Sequence, residues 1–224
     1  MIIVKTLIIA PECELDVVAD IIAAVGGDNL VNIVRGHVGM EDVLRAIELH
    51  KPEALHFAGH GDHAELMLSD GPLNVGVLQR ALSDMNHDRP RLAFLNACYT
   101  ARTAAMIYDA GVDYVIGWVG DVPDNVAKTF ATTFYASLRY NHDPELSFQT
   151  AEATILRIYG NDYVPLLLNG RISKLERRVT EIIQEMSRRN RRLQQYALIL
   201  AALLLLMLFS LSSGIWISFL RLAN

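Results

Sequence analysis

The chain has 224 residues, 52% of them hydrophobic, and a formal net charge of −5; this size suits one medium domain with an appendage. Two cysteines, Cys13 and Cys98, exclude a disulfide framework and fit a reducing compartment. Residues 1–170 hold 11 Lys/Arg against 22 Asp/Glu, a balance that argues against nucleic acid as a partner of the domain body.

In chain order, Val4–Ala10 reads as a strand stopped by Pro11, and Leu15–Val25 as a helix stopped by Gly26-Gly27. Leu30–Val34 is a short strand, Glu41–Leu49 a helix, and Ala54–Gly59 a strand after Pro52. Asp70-Gly71 between short apolar runs predicts a hairpin. Val75–Leu82 then reads as a helix, Arg91–Ala97 as a strand, Ala101–Asp109 as a helix and Asp113–Trp118 as a strand. Helices are expected over Asn125–Tyr140 and Leu146–Tyr159. Strands separated by helices predict an α/β domain, a mostly parallel sheet covered on both faces, over 1–165.

Residues 171–195 hold 8 basic and 3 acidic side chains. Leu175, Val179, Ile182, Met186 and Leu193 form an apolar stripe there. The stripe fits a short coiled coil, or one amphipathic helix resting on the domain or on a bilayer. From Tyr196 to Leu220 no residue is charged, enough for the roughly 20 apolar residues of a transmembrane helix. A span at 196–220, flanked by Arg188, Arg189, Arg191 and Arg192, puts residues 1–195 on the cytoplasmic side of the inner membrane as a single-pass protein. The basic flank also attracts anionic lipid headgroups. A buried helix or the core of a soluble oligomer would account for the same apolar composition.

Two blocks carry chemistry. Leu55-His56-Phe57-Ala58-Gly59-His60-Gly61 ends a strand in a histidine, and Leu92-Ala93-Phe94-Leu95-Asn96-Ala97-Cys98 ends another in a cysteine 38 residues later. In a parallel sheet functional residues gather beyond the carboxyl ends of the strands. An imidazole beside a thiol takes its proton or stabilises the thiolate, which is the nucleophile. The backbone N–H groups of Gly61 and Cys98 are candidate donors to a tetrahedral oxyanion. Taken singly, His60 could be a polar strand end and Cys98 a small buried apolar residue.

Gly59-His60-Gly61, the hairpin Leu66 to Gly71 and Asn96-Ala97-Cys98 resemble the CHAT branch of caspase-like cysteine peptidases. Gly111 to Trp118, followed by a helix with Phe130, Phe134 and Tyr135, resembles the segment after the nucleophile in that family. The resemblance spans residues 1–160. It implies a caspase-like three-layer sandwich, His60 as general base and acid, Cys98 as nucleophile, and Gly61 and Cys98 amides in the oxyanion hole. It implies no metal or organic cofactor. Tyr99-Thr100 departs from the Arg-Gly that follows the caspase cysteine, and the catalytic lobe is expected to stand without a tetratricopeptide or other sensing module.

Asp62, Asp121 and Asp124 are candidates for a pocket that takes a basic side chain. His56, inside the strand, reads as packing or support; His63 is a candidate for substrate contact; Cys13, between two glutamates, reads as structural. His37, His50, His87 and His142 read as surface or loop positions, and the scattered histidines lack zinc-ligand spacing. The expected function is a membrane-anchored cysteine endopeptidase acting on a protein substrate in bacterial defence or regulated cell death, activated by a partner protein or by self-oligomerisation. The alternative is a non-enzymatic membrane effector that assembles through its C-terminal helices.

Overall fold

The computed structural model describes residues 5–11, 15–62 and 65–169. The chain divides into two units, Met1–Gly170 and Arg171–Asn224. Every described residue belongs to the first unit. The expected basic helix and apolar span therefore lie outside the described residues, as do Cys13 and His63. Among the described residues no helix is long and apolar enough to cross a membrane.

Among the described residues, nine strands and six α-helices follow one another. They are β1 (Thr6–Ala10), α1 (Leu15–Val25), β2 (Val31–Arg35), α2 (Met40–His50) and β3 (Ala54–Ala58). Three short strands come next, β4 (Gly61–Asp62), β5 (Glu65–Leu68) and β6 (Gly71–Pro72), then α3 (Val75–Asp84) and β7 (Leu92–Asn96). The unit closes with α4 (Ala101–Asp109), β8 (Tyr114–Trp118), α5 (Asp124–Asn141), α6 (Pro144–Tyr159) and β9 (Pro165–Asn169). The main sheet has the order β2-β1-β3-β7-β8-β9. All its pairings are parallel except β8–β9, which is antiparallel.

Strands β1, β3 and β7 are buried at every position, as expected for parallel strands covered on both faces. Alternation sends Ile8, Ala54, Ala58, Phe94, Ile116 and Trp118 to one side, against α1, α5 and α6. Leu7, Ile9, Leu55, Phe57, Leu95 and Val115 go to the other, against α2, α3 and α4. The unit is therefore a three-layer α/β sandwich, in agreement with the sequence-based expectation. The α5 face is aromatic: Phe94 meets Phe130 and Phe134 edge-on at 5.8 and 5.6 Å, and Trp118 meets Phe130 at 5.2 Å. Such pairs contribute about 0.5–1.5 kcal/mol each beyond their buried area.

Local chemistry sets the helix ends. Asn74 accepts the Val77 N–H at 3.1 Å to start α3. Asp143 accepts the N–H groups of Glu145 and Leu146 to start α6, with Pro144 at its first position. The β5–β6 hairpin docks on the start of α2. Ser69 Oγ accepts the Val38 N–H at 3.0 Å and donates to the Gly36 carbonyl, while the Asp70 carboxylate accepts from Met40 N–H. The hairpin thus supports the fold through its turn residues.

Strand β9 had no counterpart in the sequence reading. Pro165 opens it and three leucines follow, a pattern that neither alternates nor favours β structure. It pairs with the edge of β8, where the missing proline N–H is tolerated.

Candidate active site

Strands β3 and β7 are paired from Ala54↔Leu92 to Ala58↔Asn96. That offset of 38 residues equals the spacing of His60 and Cys98, so the two stand level just past the carboxyl ends of neighbouring strands. The chains touch at this point. A Cβ on Gly61 would overlap the Cys98 carbonyl oxygen and lie 3.3 Å from the Cys98 amide nitrogen. Only glycine permits that approach.

The same position orients a donor. The His60 carbonyl accepts the Met67 N–H at 3.0 Å across the hairpin. A trans peptide points its C=O and the following N–H in opposite directions. The Gly61 N–H therefore faces away from β5.

Past Phe94, β7 stops pairing with β8 while it still pairs with β3. Side chains bridge the gap this leaves. Trp118 Nε1 donates to Asn96 Oδ1 at 3.3 Å, and the Trp118 backbone N–H donates to Thr100 Oγ1 at 2.9 Å. The Thr100 hydroxyl proton is shared toward the carbonyls of Leu95 and Ala97, both at 3.2 Å. Gly117 makes room for Thr100, since a Cβ there would lie 2.9 Å from Oγ1. Thr100→Val keeps the shape and deletes the three bonds of the Thr100 hydroxyl in a buried place. We expect it to lower stability by about 1–3 kcal/mol in urea denaturation. An unchanged midpoint would show that the turn holds without the hydroxyl.

Cys98 is half-buried, with its thiol against the segment that follows β8. Its Sγ accepts the Val122 N–H at 3.3 Å and donates to the Val122 carbonyl at 3.6 Å. His60 is exposed, and among the described residues it forms no hydrogen bond with Cys98. Tyr99 occupies the left-handed region at φ 54, a conformation costing about 1–3 kcal/mol in a non-glycine residue. This turns the chain sharply between β7 and α4.

The three candidate pocket acids fall in different settings. Asp121 accepts the Tyr99 hydroxyl at 2.9 Å, which raises the Tyr99 pKa chiefly through that bond. Asp124 is the first residue of α5, where a carboxylate complements the helix dipole. Asp62 lies in β4 opposite Glu65. Of the histidines, His37, His87 and His142 are exposed and His50 is half-buried at the end of α2. His56 is buried against Phe94 and Tyr135 as packing, with Nδ1 3.1 Å from Tyr135 Oη. Among the described residues no group of three or more His, Cys, Asp or Glu is arranged to hold a metal ion.

Sequence reasoning missed the contact of Val122 with the thiol and the Tyr99–Asp121 bond. The first uses only main-chain atoms of Val122, so its residue type does not announce it. The second joins residues 22 apart with no periodic relation. A threonine just before a helix was a visible signal for Thr100, although its hydroxyl serves β7 and β8 and does not cap α4.

No curated protein matches the chain. Two solved structures of pyridoxal kinase from Staphylococcus aureus, one in complex with ADP and one with pyridoxal, are similar to it at 13% identity. The alignments cover 76% of this chain and 95% of theirs, with TM-scores of 0.37 and 0.38, a level that constrains neither fold nor chemistry. The sequence profile of the CHAT domain, a caspase-like peptidase family, matches residues 10–187. With most of its length matched, including both strand ends and the turn between them, this chain belongs to the CHAT domain family.

Proposed function

We propose that the domain is a cysteine endopeptidase in which Cys98 attacks a peptide carbonyl and His60 moves the proton. The observation that carries this reading is the packing of Gly61 on the Cys98 backbone, with His60 and Cys98 level on adjacent strands. In the reaction His60 takes the thiol proton, and the thiolate adds to the carbonyl carbon. Gly61 and Cys98 amides stabilise the oxyanion. Collapse of the adduct breaks the C–N bond, and the imidazolium proton goes to the leaving amine. Water activated by His60 then hydrolyses the thioester and restores the thiol. No metal or organic cofactor is required.

Such dyads often tighten only once substrate is bound, so the resting separation of thiol and imidazole is compatible with this role. In this reading the stretch 196–220 anchors the protein in the cytoplasmic membrane, with the domain on the cytoplasmic side. Clustering there or a partner protein would activate cleavage of a protein substrate in defence or regulated cell death. Asp62, next to Gly61 in sequence, is the candidate for binding a basic substrate residue.

The test is incubation of the full chain in detergent with a peptide library, with scissile bonds identified by mass spectrometry. Cleavage is expected from the native chain and not from Cys98→Ala. Equal cleavage by both would sink the assignment. A second reading, a non-enzymatic membrane effector, draws on the thiol being bonded to Val122 instead of His60. It expects cell toxicity to survive Cys98→Ala and to vanish when 196–224 is deleted.

A further inference from the structure

We propose that Val119–Pro123 is a strap that holds Cys98 in an unreactive state, with the Tyr99–Asp121 hydrogen bond as its clasp. This rests on Cys98 being the nucleophile, and it adds a restraint on that same site. The strap is five residues long and fixed at both ends. The Val119 N–H donates to the Val164 carbonyl at 3.1 Å, and the Pro123 carbonyl accepts the N–H groups of Val126 and Ala127 at 2.9 Å each to begin α5. In between, Val122 is buried with the α5-face core, against which Cys98 also packs.

Between these ends the strap meets the cysteine turn at three levels. The Gly120 carbonyl accepts the Tyr99 N–H at 3.1 Å. The Val122 N–H and carbonyl both bond to Cys98 Sγ. Asp121 accepts the Tyr99 hydroxyl. The left-handed Tyr99 swings its ring to the strap side, so its strained backbone and its clasp belong to one arrangement.

The sulfur contacts explain why this state is unreactive. A thiol whose proton points at the Val122 carbonyl cannot at the same time give it to His60. Once ionised, the sulfur would keep the Val122 amide as a donor but would face the negative end of the Val122 carbonyl dipole. Proton transfer to His60 therefore needs the S–H to turn away from that carbonyl, and it leaves the thiolate facing the carbonyl dipole until the strap moves off. The main-chain bonds at the strap ends belong to β8, β9 and α5 and stay with the fold. The clasp joins two exposed side chains, with Tyr99 42% accessible, so it can open without unfolding anything.

Removing the clasp should speed alkylation of Cys98 by iodoacetamide. The full chain is used, and peptide-level mass spectrometry separates Cys98 from Cys13. Tyr99→Phe deletes only the hydroxyl, and Asp121→Ala deletes the acceptor. Each is expected to raise the Cys98 alkylation rate about fivefold, the factor carried by one modest charge-assisted hydrogen bond. Because both act through one bond, the double variant should show the same rise and no more. The melting temperature, read alongside, should move little. Unchanged or slower alkylation in both single variants overturns the strap, as does a double variant whose rise is the product of the singles. Faster alkylation in variants that still cleave no peptide upholds the strap while counting against the peptidase reading, so the two failures are distinguishable.

Discussion

Cys98→Ala and Gly61→Ala are both expected to reduce peptide cleavage strongly, for different reasons. The first removes the sulfur that forms the bond, with an expected loss of about a thousandfold or more. His60→Ala should cost a similar amount, and the His60→Ala, Cys98→Ala double variant should be no worse than either single, since the two residues act in one step. Gly61→Ala leaves both reactive groups in place. Its methyl would overlap the Cys98 carbonyl, so β4 or the cysteine turn must move. Displacing the Gly61 amide from an oxyanion is expected to cost about a hundredfold in kcat, and the overpacking about 1–3 kcal/mol in stability. Initial rates and urea denaturation on the same preparations separate the two effects. Full activity in Gly61→Ala would show that the close contact between strand ends is dispensable.

The second large effect is a pH dependence of stability carried by His56. Its ring is buried between Phe94 and Tyr135, and burial lowers its pKa from 6.5 to about 3. Its Nε2 has no hydrogen-bond partner among the described residues, so no acceptor there rewards a second ring proton. Between those two pH values the unfolded chain holds a proton that the folded chain refuses, and stability therefore rises with pH across that window. The contribution is fully present above pH 6.5 and is lost as pH falls toward 3, with an upper figure of about 5 kcal/mol. Carboxylates add their own slope in acid, so the informative quantity is a difference. His56→Phe keeps a ring against Phe94 and cannot titrate. Urea denaturation across the window should give a clearly flatter pH profile for the variant than for the native chain. Parallel profiles would mean that His56 gains a proton partner in the folded state.

Much of the fold was legible because burial leaves a periodic trace. The continuous apolar runs of β1, β3 and β7 and the helical spacing of α1 to α6 follow from the layers they sit between. Glycines and prolines at the ends made the limits of α1 and α4 readable to the residue. Strand β9 was not legible, since its leucines carry no strand signature and only the open edge of β8 makes them a strand. The placement of His60 and Cys98 at neighbouring strand ends was legible in a restricted sense. Two reactive residues at strand ends could be named, but their being neighbours needed β3 and β7 to be adjacent and in register.

By itself, then, the amino-acid order determined the layers and the reactive side chains at the strand ends. Those properties depend on hydrophobic periodicity and on the chemistry of single side chains, both of which are local. Only the tertiary structure decided where the thiol points in the resting protein. Its partners are the main-chain N–H and carbonyl of Val122, 24 residues away, and every residue type except proline carries the same two groups. Which residue delivers them depends on the divergence of β7 from β8 after Phe94 and on the path the chain takes into α5.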